Sequence, residues 1–259
     1  MPLSQRRHKL HKRLAVNKMR AREGLVLVEG VRAVSEALDA GARPSFAVVS
    51  PRLDSSEEGR GLRARLPGNT LDVSDAEMAE VADTEHPQGV VLVCHEPDDR
   101  LPEALSAAQA AGTPRVLVLD AIQDPGNVGT LVRSAVAFAF HLVVALDGTT
   151  DPWGSKAVRA AAGTSFRLPV IRASTEDAIE ALSRASLHIL VASAEGSAGV
   201  QASSEGFALV LGNEGSGVRE RIREVATETV AVAMAGPAES LNVGIAGSIL
   251  MSDFTRKDR

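Results

Sequence analysis

Apolar residues arrive along this chain in short unbroken runs separated by amphipathic stretches, the imprint of alternating strands and helices. Leu25-Val-Leu-Val-Glu-Gly30 reads as a buried strand, and Val31 to Ala40 as a helix ended by Gly41. Phe46 to Ser50 is strand-like, Glu57 to Leu66 helical, and Gly89-Val-Val-Leu-Val-Cys94 a further apolar run, each set off by Pro, Gly, Asn or Asp. These describe a small α/β domain. Pro97-Asp-Asp-Arg-Leu-Pro102 breaks the pattern, and an Ala-rich helix leads on to Gly112, so a domain boundary is expected near residue 105.

The second part, residues 106–259, opens on Val116-Leu-Val-Leu-Asp120. Similar runs recur at His141 to Leu146, His188 to Ser193, Phe207 to Gly212 and Thr229 to Met234. Continuous apolar runs of this kind suit parallel strands covered on both faces. Helical patterns fall between them at Val128 to Phe138, Ser155 to Ala162, Glu176 to Ala185 and Ser216 to Val225, with a last helix from Leu241 to about Met251. Five or six strands alternating with helices predict an open parallel sheet. Such sheets bind ligands beyond the carboxyl ends of their strands.

Composition narrows the class. With 259 residues, 44% hydrophobic and 24% charged, the chain has a globular profile and room for two modest domains. No stretch approaches the roughly 20 apolar residues that cross a bilayer, and no apolar run near the N-terminus resembles a secretory signal, so the expected location is the cytoplasm. The single cysteine, Cys94, excludes an internal disulfide and a multi-cysteine zinc site; its apolar setting marks it as core. Six scattered histidines show no metal-ligand spacing, and no metal is expected.

The net charge of -5 hides a strong asymmetry. Residues 1–22 hold eight Lys and Arg and no acid, so all 33 Asp and Glu lie beyond them. A basic arm on an acidic body favours a local contact with a polyanion. A solvated terminus or an Arg-rich transit peptide would share this composition. Aromatics are scarce, with no Tyr and the lone Trp153 read as loop packing, which argues against extensive base stacking. Lys156 and Arg159, on the helix after Trp153, read first as a solvated face, with a lining of the RNA path as the alternative.

Three polar clusters sit at the ends of apolar strands. The first is Asp120-Ala-Ile-Gln-Asp-Pro-Gly-Asn-Val-Gly-Thr-Leu-Val-Arg133, where Asn127 occupies the expected helix N-cap and Arg133 follows between one and two turns later. The second is Leu209-Val-Leu-Gly-Asn-Glu-Gly-Ser-Gly-Val218, glycine-rich, with a carboxylate at the turn. In the third, Val230 to Val243, the chain leaves a strand through Gly236-Pro237 and re-enters a helix near Ser240, a candidate N-cap. Taken singly, each is ordinary turn chemistry. None carries a P-loop or a GxGxxG fingerprint, which disfavours a nucleotide-binding dehydrogenase.

In order, Asn127-Val-Gly-Thr-Leu-Val-Arg133, Gly212-Asn-Glu-Gly-Ser-Gly217 and Glu239-Ser-Leu-Asn-Val243 resemble the motifs of the SpoU/TrmH-type RNA ribose 2′-O-methyltransferases of the SPOUT superfamily. Leu27-Val-Glu-Gly30 and its following helix look like the substrate-binding domain that often precedes the catalytic one. The resemblance implies an α/β fold: a C-terminal parallel sheet with a deep trefoil knot, a rare feature in proteins, preceded by a smaller α/β RNA-binding domain. It implies S-adenosylmethionine as cofactor, RNA as substrate, and a homodimer formed through the catalytic domain. Ala233-Met234 and Gly244 depart from the family's usual Pro-Met and Ser. Gly244 costs about 1 kcal/mol in a helix relative to Ala, so close packing or cofactor approach is expected there.

By the family pattern, Arg133 assists deprotonation of the 2′-hydroxyl while Asn127, Glu214, Ser240 and Asn242 orient it and the ribose-phosphate. An arginine is almost never neutral in proteins, so electrostatic stabilisation of a developing alkoxide is an equally good role. Leu211, Gly212, Asn213, Val232 and Leu241 are expected to hold the cofactor, largely through the backbone. Large-subunit rRNA is the expected substrate, with tRNA, or a non-catalytic RNA-binding role on the same fold, as alternatives.

Overall fold

The computed structural model describes residues 23–199, 206–237 and 240–255; the basic arm and Glu239 of the third motif lie outside them. The described chain divides into two compact units. One holds the residues up to Pro97 together with Trp153–Arg167, and the other holds Asp98–Pro152 with Leu168 onward.

In the first unit, β1 (Leu25–Glu29) is followed by α1 (Val31–Asp39), β2 (Pro44–Val49), a 3-10 turn at Pro51–Ser55, α2 (Glu57–Arg63), β3 (Leu71–Asp72), α3 (Asp75–Val81) and β4 (Val90–His95). The sheet order is β1-β4-β2-β3, antiparallel except for the β2–β3 pair. Helix α3, which the apolar runs did not reveal, begins at a capping box: Ser74 Oγ accepts from Glu77 N, and the Glu77 carboxylate accepts from Ser74 N. Cys94 is fully buried in β4, and burial alone pushes its thiol up to about 12. Trp153 is also buried and packs against Phe166 with ring centroids 5.1 Å apart.

The second unit runs α4 (Leu101–Ala110), β5 (Arg115–Asp120), α5 (Pro125–Ala137) and β6 (Leu142–Leu146), passes through α6 (Ser155–Ala160) of the first unit, and returns at β7 (Val170–Ala173). It continues with α7 (Thr175–Arg184), β8 (His188–Ala198), β9 (Phe207–Gly212), α8 (Glu220–Arg223), β10 (Glu228–Ala231) and α9 (Val243–Thr255). The sheet order is β10-β8-β9-β5-β6-β7, with every pair parallel. The strands predicted from apolar runs are present, joined by the short edge strand β7.

Packing explains the last helix. Gly247 of α9 lies over β9 and α5 so closely that a Cβ would stand 2.4 Å from Leu211 Cδ1 and 2.5 Å from Leu131 Cδ2. At the next position of α9, the Ser248 hydroxyl meets that of Ser134 at 2.7 Å. The Phe207 ring packs edge-on near Phe140 at 5.7 Å and Phe254 at 5.5 Å. Each such aromatic pair contributes about 0.5–1.5 kcal/mol beyond its burial. Among the described residues, no helix is long and apolar enough to cross a membrane.

Candidate functional site

The carboxyl ends of β5 and β9 lie side by side, since Asp120 pairs with Gly212 across the ladder. The first two clusters therefore leave the sheet together. Beyond β5, Ala121 takes a left-handed turn with φ 58, an uncommon conformation for a residue with a Cβ. The chain then enters α5 under the cap of Asp124, whose Oδ1 accepts from Gly126 N and Asn127 N. This corrects the expectation that Asn127 is the N-cap. Asp124-Pro125 was the available signal, because Pro suits the first helical position.

Freed from capping, the Asn127 side chain joins the three clusters. Its Nδ2 donates to Glu214 Oε1 at 2.8 Å, and its Oδ1 accepts from Asn242 Nδ2 at 3.0 Å. Asn242, not Ser240, caps α9: its Oδ1 accepts from Gly244 N at 2.9 Å and Ile245 N at 3.2 Å. Gly244 fits here because even a Cβ would come within 3.1 Å of Asn242 Oδ1 and 3.3 Å of Asn127 Oδ1.

Asn213 builds the second loop. Its backbone pairs with Gly217 in both directions, its Oδ1 accepts from Gly215 N and Ser216 N, and its Nδ2 donates to Ala121 O at 2.9 Å. The loop folds back so tightly that a Cβ on Gly212 would lie 2.3 Å from both Gly217 C and Val218 N. It also displaces the helix expected from Ser216, leaving the single turn of α8. Beyond it, Arg219 donates from N at 2.8 Å and from Nε at 2.5 Å to the fully buried carboxylate of Asp120, and from Nη2 to Asp147 O. Asp120 and Arg219 were not among the expected site residues. A charged residue ending an otherwise apolar strand was the signal for Asp120; nothing in the sequence paired Arg219 with it.

The remaining expected residues stand apart from this network. Arg133 is exposed on α5 and makes no hydrogen bond or ion pair among the described residues, and the Ser240 hydroxyl makes none either. Six residues on a helix separate Asn127 from Arg133 by about 9 Å along the axis and place them on different faces. Leu211 is buried against α9, so only its backbone could meet a ligand. Val232 is half-buried just past β10, and Leu241 is 37% exposed.

From Val232 to Pro237 the main chain makes no hydrogen bond with other described residues. Met234 and Leu241 are exposed along the same segment.

Comparison with known proteins agrees with this geometry. Residues 114–252 match the SpoU rRNA Methylase family, and residues 6–92 match the MRM3-like substrate binding domain. The chain is 33% identical over 243 residues to the 23S rRNA (guanosine(2553)-2′-O)-methyltransferase RlmP of Bacillus subtilis, covering 93% of this chain and 92% of that one. Among solved structures, the SpoU methyltransferase AviRb of Streptomyces viridochromogenes in complex with AdoMet superposes with a TM-score of 0.84 at 25% identity, over 98% of this chain and 97% of that one. The AdoMet-bound rRNA methyltransferase of Sinorhizobium meliloti gives 0.79 at 26% identity, over 98% and 95%. With its motifs meeting at the ends of adjacent parallel strands and its family pattern spanning more than half its length, the chain belongs to the SpoU rRNA methylase family.

Proposed function

We propose that this protein transfers the methyl group of S-adenosylmethionine to a ribose 2′-hydroxyl of large-subunit ribosomal RNA. The observation that carries the reading is the hydrogen-bonded chain Glu214–Asn127–Asn242, which ties together one side chain from each motif. RlmP, similar over nearly its whole length, is named for this reaction on 23S rRNA, which favours rRNA over tRNA. We infer that residues 106–259, apart from the Trp153–Arg167 segment that folds with the first unit, perform the chemistry, that residues 1–105 with their basic arm bind RNA, and that the protein acts in the cytoplasm. The trefoil knot of the family is part of the same reading.

When bound, the cofactor supplies an electrophilic methyl group. The unpaired backbone of Val232–Pro237, with Leu211, Gly212, Asn213 and Leu241, would hold it, and the tight Gly212–Val218 loop would shape its pocket. The chain's own task is to align the ribose oxygen and manage its proton. Asn127, Glu214 and Asn242 hold one another in place, so their remaining polar atoms are preorganised for a ribose-phosphate. Ser240, exposed and without a hydrogen-bond partner among the described residues, is a further donor for the substrate. Arg133, with no hydrogen-bond or ion-pair partner among the described residues, has donors available to a developing alkoxide or a neighbouring phosphate.

A second copy of the chain is the expected partner. The groove between α5 and α9 is lined by Thr130, Phe138, Gly244, Ile245, Ser248 and Ile249, and Ile245 is 53% exposed. An apolar residue so exposed on a helix suits coverage by a second copy. Sedimentation should show a dimer that Ile245→Asp weakens; a monomeric wild type would contradict this. For the site, Arg133→Ala should abolish methyl transfer to rRNA while calorimetry shows cofactor affinity retained. Near-normal turnover would overturn Arg133's assignment.

A further inference from the structure

The first unit contains a cavity of about 250 Å³ that the proposed chemistry does not use. It is several times the roughly 30 Å³ that a water occupies in the liquid. Its walls include Gly30, Arg32, Thr84, His86, Gln88 and Arg159. Arg159, expected to be solvated, is half-buried: its Nη1 is shut off from solvent and has no hydrogen-bond partner among the described residues. An unpaired buried guanidinium nitrogen is costly, and native structures usually satisfy one with an ion, a ligand or a water.

The segment that follows Arg159 packs closely on α1. Gly163, at φ +82, lets the chain after α6 press against α1 so closely that a Cβ would lie 2.2 Å from Ala33 O. Arg167 Nε then pairs with Glu36 Oε1 at 2.5 Å. The cavity's other groups are mostly donors. Arg32 is exposed in the first turn of α1, which has no acidic residue and no side-chain cap. Gln88 Oε1 accepts from Val31 N at 2.8 Å, leaving its Nε2 unused among the described residues. The one carboxylate that lines it, Glu29, accepts from Asp83 N at 2.8 Å and from the Thr84 hydroxyl, pinning the loop that forms the cavity's rim.

We propose that this cavity is a phosphate subsite for the backbone of the substrate RNA, with Arg159 and Arg32 supplying charge and Gln88 Nε2 a neutral donor. It rests on the reading of the chain as an RNA-modifying enzyme. An arginine guanidinium carries a permanent positive charge and several donors, which suit phosphate oxygens. Contacts of this kind fix the register of the RNA without reading its bases. Glu29-Gly30 gains a role as well. Glu29 holds the rim, and Gly30, at φ +95, turns the chain into α1 beneath Gln88.

The test is the salt dependence of binding between the full-length protein and a 23S rRNA transcript. Each phosphate contact adds about -0.7 to -0.9 to the slope of log K against log salt. Arg159→Gln and Arg32→Gln should each make the slope shallower by about that amount, with cofactor affinity unchanged by calorimetry. If Arg159→Gln does not fold, Arg32→Gln, at an exposed position, decides. Titration of the wild type with inorganic phosphate, followed by NMR, should perturb the Arg159 and Arg32 side-chain signals. RNA binding should then protect those signals from phosphate, as expected of a phosphodiester occupant. Wild-type slopes in both variants, or phosphate shifts that persist when RNA is bound, would overturn the proposal even if the enzyme methylates rRNA. Loss of methyl transfer in the wild type would instead strike the functional reading.

Discussion

Replacing Arg219 by Ala should cost this protein more stability than its half-exposed position suggests. Asp120 is fully buried and accepts from the backbone N and the Nε of Arg219, while the Arg219 side chain is 40% exposed. Breaking a buried ion pair from one side typically costs about 3–5 kcal/mol, because a charge is left uncompensated. Two features reduce that here. The Arg219 N–H remains to bond one carboxylate oxygen, and the exposed side of the pair admits water once the guanidinium is gone. The expected loss is about 2–4 kcal/mol. Urea unfolding followed by circular dichroism should show a lower midpoint at an unchanged slope, and hydrogen exchange should quicken in β9. Because Arg219 tethers the end of the Gly212–Val218 loop, cofactor affinity should fall too. The double variant Asp120→Asn/Arg219→Ala, which removes the stranded charge, should recover part of the stability. A loss below about 0.5 kcal/mol would mean that the pair behaves as an exposed one and that Arg219 does not hold the buried charge.

Three further outcomes follow from the same geometry. Gly212→Ala forces loop backbone to move, an overpacking cost of about 1–3 kcal/mol, and calorimetry should show weakened S-adenosylmethionine binding; unchanged affinity would place the cofactor elsewhere. His141, whose Nδ1 accepts from Arg115 N at 3.1 Å, is held below its ordinary value by burial first and the Arg115 charge second. Its contribution to stability is thus present above the unfolded value near 6.5 and is lost as pH falls through the lower folded value, a decline that His141→Gln should flatten in thermal scans. Cys94, pushed up to about 12, should resist thiol reagents at pH 8 until the protein unfolds; rapid native labelling would contradict its burial.

The sheet strands were legible because parallel strands covered on both faces leave continuous apolar runs, as in Val116-Leu-Val-Leu and Phe207-Ala-Leu-Val-Leu. Edge strand β7 escaped notice because Val170-Ile-Arg-Ala is short and turns Arg172 outward to pair with Asp151. Helix starts were legible only to within a few residues. Several residues near Asn127 and Ser240 have capping chemistry, and only the folded chain shows that Asp124 and Asn242 do the capping. The site motifs were legible as a set, but their connection was not. Asn127, Glu214 and Asn242 are 87 and 115 residues apart in two of their three pairings, and no local pattern encodes such contacts. Arg159 shows the same limit: on a short helix it has a solvated pattern, and only the folded chain shows it half-buried at the wall of a cavity.

Ribose methylation of rRNA can be read out by incubating the wild-type protein with methyl-labelled S-adenosylmethionine and unmodified 23S rRNA, then hydrolysing the RNA in alkali. A 2′-O-methyl group removes the oxygen that attacks the neighbouring phosphodiester, so the label should appear in alkali-resistant dinucleotides, and Arg133→Ala should leave none there. Label released entirely in mononucleotides would mean base methylation, and no incorporation would mean no transferase activity on this RNA; either result would contradict the account.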